Sequence, residues 1–174
     1  YEEREFVFGR IAPGETRTWT IPVKVPKDVL PRLDVVRTVF NEENNHAPTA
    51  KDLQVRLEGL PRPRFAYSYQ LIDDGNNANG DGLVQRGEAV RLRVNIKNIG
   101  SGRALRPVAL LRNLSGDGIL VNKGRYELSQ MGPKESRSID FTFDVNSQFQ
   151  EPNARVELQV YDLGLHDGVT DKLS

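Results

Sequence analysis

Residues 88–98 read EAVRLRVNIKN. Val90, Leu92, Val94 and Ile96 fall on one side of an extended chain, and Arg91, Arg93, Asn95 and Lys97 fall on the other, because successive side chains of a strand point to opposite faces. This alternation predicts a β-strand with one face in a core and one in water, the pattern of an antiparallel sheet. Residues 138–145 repeat it, with Ile139, Phe141, Phe143 and Val145 set against Ser138, Asp140, Thr142 and Asp144. Residues 17–25 do so with Trp19, Ile21, Val23 and Val25, and residues 64–71 with Phe65, Tyr67, Tyr69 and Leu71. Further strands are expected at 5–9, 33–40, 52–58, 104–112, 118–122, 125–129 and 154–162. Clusters of Gly, Pro, Asn and Asp divide the runs, and no stretch sustains a 3.6-residue period. The expectation is an all-β, antiparallel sandwich of short strands, and not a βαβ fold.

Composition narrows the function. Lys plus Arg and Asp plus Glu number 24 each, so no net field gathers a polyanion, and nucleic acid is not an expected partner. Apolar runs of the kind Val108-Ala109-Leu110-Leu111 fall far short of the roughly 20 residues of a spanning helix. With no cysteine, disulfides, Cys-ligated zinc and thiol catalysis are excluded. Tyr1 is not an initiator Met, and no signal-like stretch follows it; the chain reads as a piece of a longer protein.

The segment from Phe6, FVFGRIAPGETRTWTIPVKV, lies over the one from Tyr126, YELSQMGPKESRSIDFTFDV, at an offset of 126 − 6 = 120. Pro13 meets Pro133, Glu15 meets Glu135, Arg17 meets Arg137, and Trp19, Ile21, Val23 and Val25 meet Ile139, Phe141, Phe143 and Val145. With one residue inserted, Pro31 meets Pro152 and Val35 meets Val156, while His46 and His166 coincide at the original offset. Two copies of one module are expected: residues 1–60 as the C-terminal half of a first, and 61–174 as nearly all of a second. About four strands in 1–60 are too few to close a core unaided. The prolines of Gly59-Leu60-Pro61-Arg62-Pro63 mark a stiff connector.

Residues 94–104, VNIKNIGSGRA, resemble the signature of bacterial CARDB-type (cell-adhesion-related) immunoglobulin-like modules, and the run Asp73 to Glu88 is similar to the loop that precedes that strand in such modules. The resemblance covers residues 64–174, and their terminal half again at 4–60. It implies an immunoglobulin-like β-sandwich. Gly100 and Gly102 are expected to turn the chain at positive φ. FGRIAPGETRTW, LPRPRFAYSYQL and VYDLGLHD also look similar to accessory regions of secreted, myxobacterial-type tail-specific proteases. That resemblance implies a peptidase domain elsewhere in the parent, with no catalytic residue carried by this chain.

One loop concentrates candidate ligands. Residues 77–88, NANGDGLVQRGE, place Asn77, Asn79, Asp81, the Leu83 carbonyl, Gln85 and Glu88 at positions 1, 3, 5, 7, 9 and 12 of an EF-hand-like calcium loop, with Gly82 at position 6. Calcium takes six to eight hard oxygens, and alternate side chains on a tight loop aim several at one point. Asn77 stands where Asp is usual, so the loop has two carboxylates; Asp73 and Asp74 supply the missing charge if the preceding segment folds back. The alternative is a polar turn that needs no metal.

The histidines sit at equivalent repeat positions and read as loop residues. No HExxH, Walker loop or GxSxG is present, and no catalytic set is expected. Trp19, Tyr67 and Tyr69 share faces with core residues and read as core. Arg91, Arg93 and Lys97 form an outer stripe, for an acidic partner or for pairing with Asp140, Asp144 or Glu157. The resulting expectation is a non-catalytic structural or interaction module of a secreted, periplasmic or cell-surface bacterial protein. Its expected partners are other domains of the parent or another protein. The alternatives are a protease accessory domain that positions substrate and an adhesin for glycan or protein.

Overall fold

The structure is a computed structural model that describes residues 4–44, 46–75 and 77–174. The chain divides into two compact units, Tyr1–Gly59 and Leu60–Ser174. Among the described residues the regular structure is strand, apart from one 3-10 turn at Gly116–Gly118, and every ladder is antiparallel. No helix of the described residues is long and apolar enough to cross a membrane.

The second unit is a β-sandwich. One sheet has the order β3 (Phe65–Ile72), β4 (Ala89–Asn98), β8 (Ser136–Val145), β6 (Ile119–Lys123). The other runs β10 (Gly168–Leu173), β9 (Val156–Asp162), β5 (Pro107–Asn113), β7 (Arg125–Glu127). The alternation in β4 and β8 delivers Val90, Leu92, Val94, Ile96, Ile139, Phe141, Phe143 and Val145 into one core, where they meet Ala109, Leu111, Val156, Leu158 and Val160 of the facing sheet. Each such side chain contributes about 1.5–3 kcal/mol by leaving water. Phe141 lies edge-on to Tyr126 of β7, with ring centroids 5.3 Å apart.

Two buried polar side chains hold the strand ends. Asn98 accepts from the Arg64 and Gly100 N–H groups (3.2 and 3.0 Å) and donates to the Gly102 and Met131 carbonyls (2.8 and 3.1 Å). Its amide is thus fully engaged, as a buried amide must be. Asp162 accepts from the Arg106, Gly164 and Leu165 N–H groups at 2.7, 2.8 and 2.8 Å.

Gly100 and Gly102 do not stand among the positive-φ glycines, contrary to expectation. They are needed for close approach: a Cβ at Gly102 would lie 1.9 Å from the Pro61 carbonyl oxygen, and one at Gly100 would lie 2.4 Å from the Arg64 nitrogen. The Leu60 to Arg64 segment is thereby annealed to the second unit. The Gly102 N–H donates to the Arg62 carbonyl at 3.0 Å, and Arg62 pairs with Asp167 at 2.8 Å. Tyr69 also departs from expectation. Tyr67 packs on the core and gives its hydroxyl to Asp171 at 2.6 Å, which pushes the phenol pKa up to about 12 through burial and then that bond. Tyr69, two residues further along the β3 edge strand, is exposed.

In the first unit the ladder is the hairpin of β1 (Arg32–Val36) and β2 (Leu53–Leu57). Val36 faces Leu53 there, and Val156 faces Leu173 in the β9–β10 hairpin, each displaced by 120 (156 − 36 and 173 − 53). The hairpin register thus recurs at a displacement of 120, whereas the sequence alignment with its one-residue insertion sets Val35 against Val156. A turn repeats as well. The Glu15 carboxylate accepts from the Ala12 N–H at 2.9 Å and the Glu135 carboxylate from the Gly132 N–H at 3.0 Å; φ is +79° at Gly14 and +68° at Lys134.

The strands expected at 5–9 and 17–25 are not formed, and Trp19 is not core. It is 57% exposed, against 7% for Ile139, and its ring centroid lies 6.1 and 6.4 Å from those of Phe6 and Phe8. The physical reason is pairing. In the second unit β8 lies between β4 and β6, whereas among the described residues no strand runs beside 17–25. Its N–H and C=O groups then face water, and its apolar side chains follow.

Candidate functional site

The connection from β3 to β4 carries the candidate ligands. At Gly75 the loop passes so close to Ala89 that a Cβ would lie 2.2 Å from the Ala89 carbonyl oxygen. Its far end is fixed to β8, with the Gly87 N–H on the Val145 carbonyl at 2.8 Å and the Val145 N–H on the Glu88 carbonyl at 2.9 Å. Between these anchors the backbone turns through positive φ at Gly82, the sixth position of the expected loop.

Asp81 is the centre of the turn. Its carboxylate accepts from the Leu83 N–H (2.8 Å), the Asn79 amide (3.1 Å) and the Gln85 amide (2.5 Å). Asn79 in turn accepts from the Asp81 N–H at 2.9 Å, and Asn77 gives its amide to the Gly87 carbonyl at 3.3 Å. Glu88, only 4% exposed, accepts from the Gln85 N–H at 2.8 Å. The Leu83 side chain points out to solvent.

Of the two upstream aspartates, one joins the loop and one does not. Asp73 is buried and takes the Gly80 N–H at 2.9 Å on one oxygen; its other oxygen, Oδ1, is buried without a partner. A buried carboxylate oxygen with nothing to neutralise it is costly, and a cation would offset that cost. Asp74 instead pairs with Arg91, which also reaches Asp140. Asn79, Asp81 and Gln85 are brought together, as are Gln85 and Glu88, while Asp74 is drawn out of the set. Among the described residues no three carboxylate or imidazole side chains are grouped as a metal cluster. The donor types would suit a hard cation, with three carboxylates, two of them buried, and neutral amide and carbonyl oxygens. Asp73, Asp81, Glu88, Asn79, Gln85 and the Leu83 carbonyl are the groups that would hold calcium. Asn76, inside this connection, lies outside the described residues.

Two members of the basic stripe are paired, Arg91 with Asp74 and Asp140 and Arg93 with Asp140. Arg93 makes a two-pronged contact with Asp140 at 2.8 and 3.0 Å, and the guanidinium holds that carboxyl below the usual aspartate range. Arg112 reaches Glu157 at 3.4 Å. What sequence reasoning missed is the structural work of Asp162. Its signal was the Asp-Leu-Gly turn after an alternating strand, and the carboxylate bonds the N–H two residues on, as aspartate does in turns.

No protein-family model matches the chain, and no curated protein matches it. Among solved structures the chain is similar to a β-glucosidase involved in saponin metabolism from intestinal bacteria, at 17% identity and a TM-score of 0.34. The match covers 81% of this chain and 20% of that one, so the chain spans a small part of the enzyme's length.

Proposed function

We propose that this chain is a non-catalytic interaction and spacer piece of a larger secreted or cell-surface protein, built from immunoglobulin-like modules of the CARDB type and stiffened by calcium at the 73–88 loop. The sheet orders β3-β4-β8-β6 and β10-β9-β5-β7 support the immunoglobulin-like reading, since they correspond to an ABED sheet facing a GFC sheet with one strand added. The 120-residue correspondence of turn and hairpin supports the module arrangement.

One observation carries the interaction role: Trp19, Ile21, Val23 and Val25, a stripe with the composition of a core strand, are all exposed. Contiguous apolar surface on a folded chain marks a contact site. The test is the double variant Trp19→Ser, Val23→Thr, followed by urea unfolding. A contact surface predicts a change within about 0.5 kcal/mol. A loss of about 2 kcal/mol or more would make the stripe a core of this chain and end the interaction reading.

A further inference from the structure

The exposed stripe has an intact counterpart in the same chain, and that counterpart says what covers it. Residues 132–145 carry the same turn, the same Glu–Arg pair and the same alternation as residues 12–25. Glu135 holds Arg137 at 3.3 Å as Glu15 holds Arg17 at 3.0 Å. Its covering strand is β4, antiparallel, with Val94 opposite Ile139, Leu92 opposite Phe141 and Val90 opposite Phe143.

The edge is fixed by parity. The Val145 N–H donates to the Glu88 carbonyl and the Glu135 carbonyl accepts from the Asn98 N–H, both at 2.9 Å, so an odd-numbered residue faces β4 at each end of this ladder; at the turn itself the Asn98 carbonyl takes the Lys134 N–H instead, at 2.7 Å. Alternate residues of a strand point opposite ways, so Ile139, Phe141 and Phe143 do the same and the even-numbered residues face β6. Displaced by 120, the odd set is Trp19, Ile21, Val23 and Val25. Pro22, which has no N–H, takes the place of Thr142 on the other edge. The proline therefore removes a donor from the β6-like edge and leaves every donor on the β4-like edge.

We propose that residues 17–25 bind an antiparallel strand of the β4 type, contributed by a further copy of this module, along the edge carried by Trp19, Ile21, Val23 and Val25. This rests on the interaction reading and supplies its partner. Main-chain bonds give the affinity and alternate apolar side chains give the register, as in strand addition to an open edge. Charge sharpens the choice. Ala89 pairs with Asp144, and Lys24 stands in the place of Asp144, so the first residue of the incoming strand is acidic where β4 has alanine.

Trp19 is the only tryptophan, so emission from the full chain reports on this stripe alone. The probe is a peptide of residues 87–98, with a control in which Val90, Leu92, Val94 and Ile96 are replaced by Thr. The expected result is a saturable blue shift with the first peptide and none with the control. Ile21→Pro should weaken binding by about tenfold or more, and Thr20→Pro should change it by less than about threefold, because only the first removes a donor from the receiving edge. A peptide carrying Ala89→Asp should bind more tightly than the native one. No shift, or equal loss from both prolines, overturns the proposal. Trp19 shielded in a homodimer without peptide also overturns it, since the occupant would then be the stripe of a second copy. If the peptide is silent while the Trp19→Ser, Val23→Thr chain stays as stable as the parent, the interaction reading stands and only the strand is lost.

Discussion

Residues 17–25 and 137–145 share one alternating pattern, and they end in different states. Ile139, Phe141, Phe143 and Val145 are buried in β8, whereas Trp19, Ile21, Val23 and Val25 are exposed and belong to no ladder. The turns that precede them, at 132–135 and 12–15, are alike to the level of single hydrogen bonds. Local sequence therefore builds the turn in both places, and what differs is the neighbour. Alternation states that a segment can be half of a sheet contact. A strand needs the other half, because a lone extended segment has no partner for its backbone groups and no facing layer for its apolar side chains.

The largest expected effect follows directly. Phe141→Ala should cost about 3–5 kcal/mol in urea unfolding, because it empties a fully buried aromatic site. Ile21→Ala, at the equivalent position, should cost less than about 0.5 kcal/mol. Similar losses at both positions would break the comparison.

The hairpins offer a second pairing. Asp162 is fully buried and binds three backbone N–H groups, so Asp162→Ala should cost about 3 kcal/mol. Glu42, displaced by 120, makes two similar bonds, to the Asn44 and His46 N–H groups at 2.9 Å each. It does so in water, and Glu42→Ala should leave the unfolding midpoint unmoved. Chemical denaturation of both variants decides this.

Calcium should separate the units further, because the 73–88 loop lies ahead of β4 and has no counterpart in residues 1–60. With the dissociation constant of about 10⁻⁴ to 10⁻³ M expected of an extracellular module, a few millimolar calcium should stabilise the second unit by roughly 1–2 kcal/mol. Glu88→Gln and Asp81→Asn should each cancel most of that gain. Calorimetric melting with calcium and with chelator checks it, and identical curves for the parent chain would leave the loop a plain turn. The Trp19 emission should not respond to calcium.

The smallest effect is in the ion pairs of the outer face. Arg93 holds the Asp140 carboxyl below its ordinary value of 3.8. The folded state thus binds this proton less readily than the unfolded chain does. The stabilisation is complete above the ordinary value and is lost as pH falls through the lowered one. Asp140→Asn should flatten the fall in stability below about pH 5, at the scale of a partly exposed ion pair. Thr20, the equivalent residue, has no such charge, and Thr20→Asn should leave the profile unchanged.

The legible parts of the fold are those in which alternation and partner coexist. The strands β4, β8 and β9 were readable because their apolar residues recur every second position and have a facing layer; β3 was readable too, although Tyr69 on its edge stays exposed. The strand β10, GVTDKL, was not, because Val169 and Leu173 are too few to make a period. Gly100 and Gly102 were legible as required glycines, but the reason for them was not, since what they avoid is the Pro61 to Arg64 backbone, distant in sequence. In the candidate site the spacing of Asn77, Asn79, Asp81, Gln85 and Glu88 was visible. The diversion of Asp74 to Arg91 and the orphaned oxygen of Asp73 were not, because both depend on how the loop folds against β4 and not on order along the chain.

The most direct measurement is amide hydrogen exchange on the intact chain, comparing residues 17–25 with residues 137–145. Protection in β8 should approach that of global unfolding, while the amides of 17–25, apart from proline, should exchange at nearly unprotected rates. Comparable protection of the two segments would contradict the account, because it would show that residues 17–25 already have the partner strand whose absence explains their exposure.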